Sequence, residues 1–145
     1  KVANQAITVT KNFDLNKITL DLTKELNRAG EIIKEDHFQR LEKGQGVKGA
    51  LKPSKKKSGK TLVESGKMRN LVIEKAKKDK QEVEIHPGRK ETYPGTNVTM
   101  ADVGAFHQEG AGNLPVREWF GITKKAEKRI LKMVELEIGR QIRRA

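Results

Sequence analysis

The chain has 145 residues, of which 34% are apolar, or about 43% with its 13 glycines counted, and it contains no cysteine. This is one domain's length, able to bury roughly 68–70% of its unfolded surface, and the missing thiols exclude a disulfide framework or a thiolate metal site. Lys and Arg outnumber Asp and Glu by 31 to 19, and the resulting +12 favours an anionic partner, while no apolar run nears the roughly 18 residues of a membrane helix and no secretory pattern opens the chain, so a soluble protein without a membrane partner is expected.

Ala6 to Thr10 alternates β-branched residues, which predicts a short strand with Ile7 and Val9 on one face, followed by a turn at Asn12-Phe13-Asp14. Ile18, Leu22, Leu26, Ala29, Ile33 and Leu41 then fall at steps of three and four or their sums, predicting an amphipathic helix over about 15–43. Gly30 inside it permits a kink or a close crossing. Gly44 ends that helix, and a mobile basic loop is expected over about 44–61, without apolar period.

Two β-like segments, Asn70–Glu74 and Glu82–Ile85, the second alternating acidic and apolar side chains, stand around Lys77-Lys78-Asp79-Lys80, which predicts a hairpin. A short helix carrying Val103 and Phe106 is expected over 102–108. A loop over 110–115 and a final helix capped by Thr123 follow, with Ala126, Ile130, Met133 or Val134, Ile138 and Ile142 as its stripe. The expected fold class is α+β: one domain spanning 1–145, in which a small antiparallel or mixed sheet is flanked by two long amphipathic helices, with the basic loop attached. So small a sheet has limited area, so part of the helices' apolar surface is expected to be buried between subunits.

Candidate chemistry is sparse. Ser54 to Thr61 ends like a phosphate-binding loop in Gly59-Lys60-Thr61, but Ser54 stands where the pattern needs Gly, and Pro53 with a lysine run replaces the preceding strand. His37, His86 and His107 are far apart and lack the helical pairing with Glu that builds a zinc site. Asp36 and His37, adjacent in sequence, point in different directions on a helix and read as surface residues. No catalytic, cofactor-binding or metal site is assembled, and a non-enzymatic protein is expected.

From Lys43 to Lys80 thirteen Lys or Arg face only Glu64, Glu74 and Asp79, so this third of the chain carries +10 of the +12. Lys48, Lys52, Lys55, Lys56, Lys57 and Lys60 are the candidate contacts to an anionic partner, either DNA phosphates or an acidic protein surface. Phe13, Phe38, Tyr93, Phe106, Trp119 and Phe120 lie outside the basic stretch, so the interleaving that reads single strands is missing.

The segment from Ala105 to Thr123 is the most informative. It carries His107-Gln108-Glu109-Gly110, then Pro115-Val116-Arg117, the bulky pair Trp119-Phe120, Gly121 and Thr123. Upstream stand Leu51-Lys52-Pro53-Ser54, Leu62-Val63-Glu64-Ser65-Gly66-Lys67-Met68-Arg69 and Val83-Glu84-Ile85. In this order the four blocks resemble the phage virion-morphogenesis and tail-completion family of head–tail joining and tail terminator proteins. An insert over about 89–100 and a richer lysine run set the chain apart from that pattern.

The resemblance implies a structural virion protein, a subunit of a hexameric neck or tail-terminator ring at the head–tail junction, assembled in the bacterial host cytoplasm. Its implied partners are sister copies, the tail tube and neck or connector proteins, with non-specific contact to packaged DNA. His107, Gln108, Arg117, Trp119 and Phe120 are then core or subunit-interface anchors. The alternative is a sequence-independent DNA-binding protein acting through the Lys-rich 48–80 region.

Overall fold

In the computed structural model, which describes residues 5–13, 18–52, 67–90, 92, 95–112 and 114–144, the expected alternation at the start produces strand β1 (Ile7–Thr10). Ile7 and Val9 turn toward the core, and Thr8 and Thr10 toward solvent. The hairpin also forms, from β2 (Val72–Glu74) and β3 (Glu82–His86). The three strands make an antiparallel sheet in the order β1-β3-β2, with Ile7 opposite Ile85 and Val72 opposite His86. Val83 and Ile85 of the central strand are completely buried. On the other face Glu74 and Glu84 stand directly opposite each other, a like-charge pairing offset by Arg89, 3.2 Å from Glu84.

Helix α1 (Thr23–Glu42) covers one face of this sheet. It starts at Thr23 rather than near Leu15, and part of the stretch expected to be helical, 14–17, lies outside the described residues. Leu20 and Leu22 are both buried around exposed Asp21, a period of two that marks extended chain. That run is tied down from outside: the Leu22 amide donates to Gln81 Oε1 at 2.7 Å and Lys11 Nζ donates to the Leu20 carbonyl at 2.8 Å. The step from Ile18 to Leu22 therefore mimicked a helical one.

Gly30 faces the sheet, and a Cβ there would lie 3.1 Å from Val83 and 3.3 Å from Ile73. The glycine lets the helix approach β2 and β3 closely, without marking a break. Helix α3 (Lys124–Arg144) packs on α1, burying Ala126 and Ile130, and Thr123 caps it as expected by accepting the Ala126 amide at 3.2 Å. The α+β class is thus realised as a sheet, α1 upon it, and α3 upon α1.

Helix α2 (Met100–Glu109) begins two residues earlier than expected because Thr99 and Asp102 form a reciprocal capping box. It buries Met100 and the small residues Ala101, Gly104 and Ala105, with Val103 packed against the core, whereas Phe106 is exposed. The first residues of the expected mobile loop are held: Gly46 donates to the Gly49 carbonyl at 2.7 Å, and Leu51 to the Gly44 carbonyl at 2.9 Å. The rest of that loop, including the phosphate-loop-like Ser54 to Thr61, lies outside the described residues.

Candidate functional site

The end of α2 turns sharply because Gly110 takes a left-handed conformation, φ +70°, closing the helix on the Phe106 carbonyl. The chain then runs back along α2, and the side chains of the informative segment fasten it there. Gln108 acts as a clamp: its Oε1 accepts the amides of Trp119 and Phe120 at 3.1 and 3.2 Å, while its Nε2 donates to the Phe120 carbonyl at 3.3 Å. A side-chain amide thereby satisfies backbone groups that no strand partner reaches.

Arg117 fastens the other end. Its guanidinium donates to His107 Nδ1 at 2.8 Å and to the Lys52 carbonyl at 2.7 Å, and its amide donates to the His107 carbonyl at 2.7 Å. Accepting from a cation requires the neutral imidazole, and burial together with the Arg117 charge lowers the His107 pKa. Trp119 is the centrepiece, completely buried, with its indole N–H donating to the Gly104 carbonyl at 2.7 Å. A Cβ on Gly104 would lie 2.1 Å from the indole, so the ring sits directly against the α2 backbone.

The segment 110–121, laid back along α2 as a latch, reaches α1 through two residues. His37, read from sequence as a surface residue, is instead in the core at 1% exposure, with its ring centroid 5.2 Å from that of Trp119. The helical face that carries Ile33 and Leu41 also carries His37, at i+4 from Ile33 and i−4 from Leu41, and this spacing was the signal to follow. Its Nε2–H donates to the Met68 carbonyl at 2.8 Å, and burial lowers its pKa to about 4.

Arg40, one turn on, donates to Asp36 at 2.9 Å and to the carbonyls of Trp119 and Gly121 at 3.2 and 3.4 Å. Asp36 also accepts from the Thr123 hydroxyl at 3.2 Å. One ion pair thus joins α1, the latch and the cap of α3, and its i, i+4 spacing was visible in the sequence but not singled out.

Of the basic candidates, Lys48 is exposed and pairs with Glu118 at 3.2 Å, and Lys52 is exposed beside the latch. Lys55, Lys56, Lys57 and Lys60 lie outside the described residues. The Val47 amide donates to the Glu118 carbonyl at 2.8 Å, and Gly46 approaches so closely that a Cβ would lie 2.4 Å from the same oxygen. The turn carrying Lys48 is therefore anchored on the latch.

A cleft of about 560 Å³ opens between α1, this turn and the start of α3, walled by Glu35, Lys43, Lys125 and Arg129 among others. Its charges are of both signs, and the Thr123 hydroxyl at its rim is already engaged with Asp36. Among the described residues no three His, Asp or Glu side chains gather in a way that could hold a metal ion. No protein-family model, curated protein or solved structure matches this chain.

Proposed function

We propose that the protein is a structural virion component of a tailed bacteriophage, a subunit of the ring that completes the tail and joins it to the head. The observation that carries this reading is that the polar side chains of the 107–120 segment engage one another and the backbone. Gln108, Arg117, His107 and the Trp119 indole N–H hold the chain to itself, as a segment needed for shape would. The four sequence blocks in family order supply the assignment to the virion.

Surfaces suited to sister copies remain. Among the described residues no strand pairs with the outer edge of β1 or of β2, and such an edge is a template for a neighbour's strand. On α3, Leu131, Ile138 and Ile142 fall on one face beside the buried stripe, with Leu131 and Ile142 half exposed. A ring needs such a heterologous contact, closed by rotation.

Native mass spectrometry of the purified protein, followed by complementation of a phage lacking the gene, tests this. A closed oligomer, and unjoined heads and tails that the added protein unites, are the expected results. A protein that stays monomeric at every concentration and is absent from particles overturns the reading.

A further inference from the structure

Helix α3 carries eight Lys and Arg against three Glu. Lys125, Lys128, Lys132 and Arg143 follow steps of three and four or their sums and share the face turned away from α1, with Arg129 on its border. All five are exposed, and none forms an ion pair with an acid among the described residues. From Lys125 to Arg143 they span 19 residues, about 27 Å of helix.

A second basic segment reaches the same end of the molecule from far away in sequence. Gln141, in the last turn of α3, donates to the Asp21 carbonyl at 2.6 Å and accepts the Asp21 amide at 3.0 Å. Gln81 in turn donates to Asp21 Oδ1 at 3.3 Å and to the carbonyls of Lys77 and Lys78 at 3.2 and 3.1 Å. Asp21 thus joins the exposed lysine turn of the hairpin to the end of α3, on the side of the helix that carries buried Ile130 and opposite Lys132.

We propose that the outward face of α3 is a binding surface for the phosphate backbone of duplex DNA. The five cations form no ion pair among the described residues, share their face with Glu135 as its acid, and spread long exposed side chains along a rod, as a regular polyanion requires. Pairs such as Lys125 with Arg129 and Lys128 with Lys132 sit at i, i+4, where like charges destabilise a helix, and phosphates between them would relieve that repulsion.

A membrane surface fits less well, because an interfacial helix needs a broad free apolar face and α3 turns Ala126 and Ile130 into the core. A specific protein partner would need central apolar or aromatic anchors, and Leu136 is the single large apolar side chain on this face. The surface serves a ring subunit or an isolated molecule alike, so it does not depend on the assembly reading.

Fluorescence anisotropy with a random-sequence 25-base-pair duplex tests it on the full chain. If about five phosphates are neutralised, the log–log salt slope is about −4.5 and affinity falls several hundred-fold from 50 to 200 mM salt. The variant Lys125→Gln/Lys128→Gln/Lys132→Gln should lower that slope by about 2.7 with an unchanged circular-dichroism melt, whereas Lys55→Gln/Lys56→Gln/Lys57→Gln should leave most of it. A slope carried by the loop variant instead, or binding to phosphatidylserine vesicles or polyglutamate without binding to duplex, overturns the proposal. So does an α3 variant that binds DNA as wild type.

Discussion

Gly104 and Gly30 both lie inside helices, where replacement by Ala gains about 1 kcal/mol of helix propensity, yet their neighbours differ. Beside Gly104 stands the rigid indole of Trp119, whose place is fixed by a hydrogen bond to the same helix, so Gly104→Ala must displace the ring. A net loss of about 2 kcal/mol is expected, within the range for overpacked cores, and Trp119 fluorescence should shift red as its burial is lost. Trp119→Ala should cost about 3–5 kcal/mol. At Gly30 the contacts are methyl groups 3.1 and 3.3 Å away, which yield by small shifts, so Gly30→Ala should change stability far less; urea titrations of the three variants check the order. His37 adds a pH dependence at the same spot. Its folded pKa is lowered to about 4 against about 6.5 unfolded, so below pH 6.5 the unfolded chain binds the extra proton. Stability is therefore full above pH 6.5 and declines by about 3 kcal/mol on reaching pH 4, and His107, lowered by burial and Arg117, acts in the same direction. His37→Leu should lower stability at pH 7 through the lost bond to Met68 but flatten the slope between pH 6.5 and 5, where the carboxylates scarcely titrate. An unchanged slope would assign the acid sensitivity elsewhere.

Elements here are joined by side chains that imitate backbone. Asn27 of α1 donates to the Ala76 carbonyl at 3.1 Å and accepts the Ala76 amide at 2.7 Å, serving the chain beyond β2 as a strand partner would. Asn27→Asp keeps the acceptor and loses the donor, so it should cost about 1–3 kcal/mol and speed hydrogen exchange of the Ala76 amide. The pattern also explains what sequence could and could not reveal. Strands β1 and β3 and helix α3 were legible because alternation or a three-four period runs through each, β2 because the β-branched pair Val72-Ile73 precedes a turn, and Thr123 stands where a cap is needed. The start of α1 was not, because buried Leu20 and Leu22 are spaced for an extended chain while Ile18 and Leu22 are spaced for a helix, and the choice is made by Gln81, 59 residues away from Leu22. The order of the 105–123 segment drew attention to His107, Gln108, Arg117, Trp119 and Phe120, but their partners Gly104, Gly46 and Arg40 act through close approach or distant carbonyls. A period cannot encode either.

At the scale of the whole molecule, α3 is the element least absorbed by the fold. Only Ala126 and Ile130 of its 21 residues are buried, although Met133, Val134 and Ile138 touch the core. Leu131 and Ile142 lie beyond that stripe at 51% and 42% exposure, too far round the helix to be covered by α1. In a ring they are the residues a sister copy would cover, while the basic face, turned further away, stays open to an anion. Leu131→Lys/Ile142→Lys should therefore separate assembly from folding. Both side chains are already half in water, so the thermal melt should shift little, since exposed substitutions usually fall within about 0.5 kcal/mol. A lysine buried in an apolar contact without a counter-ion costs several kcal/mol, repeated at every interface of a closed ring, so the assembled species should collapse to the 16.3 kDa chain in multi-angle light scattering. Assembly that survives both lysines would move the subunit contact to the open edges of β1 and β2. There a proline such as Thr8→Pro, removing a backbone donor from an edge strand, becomes the variant expected to break it.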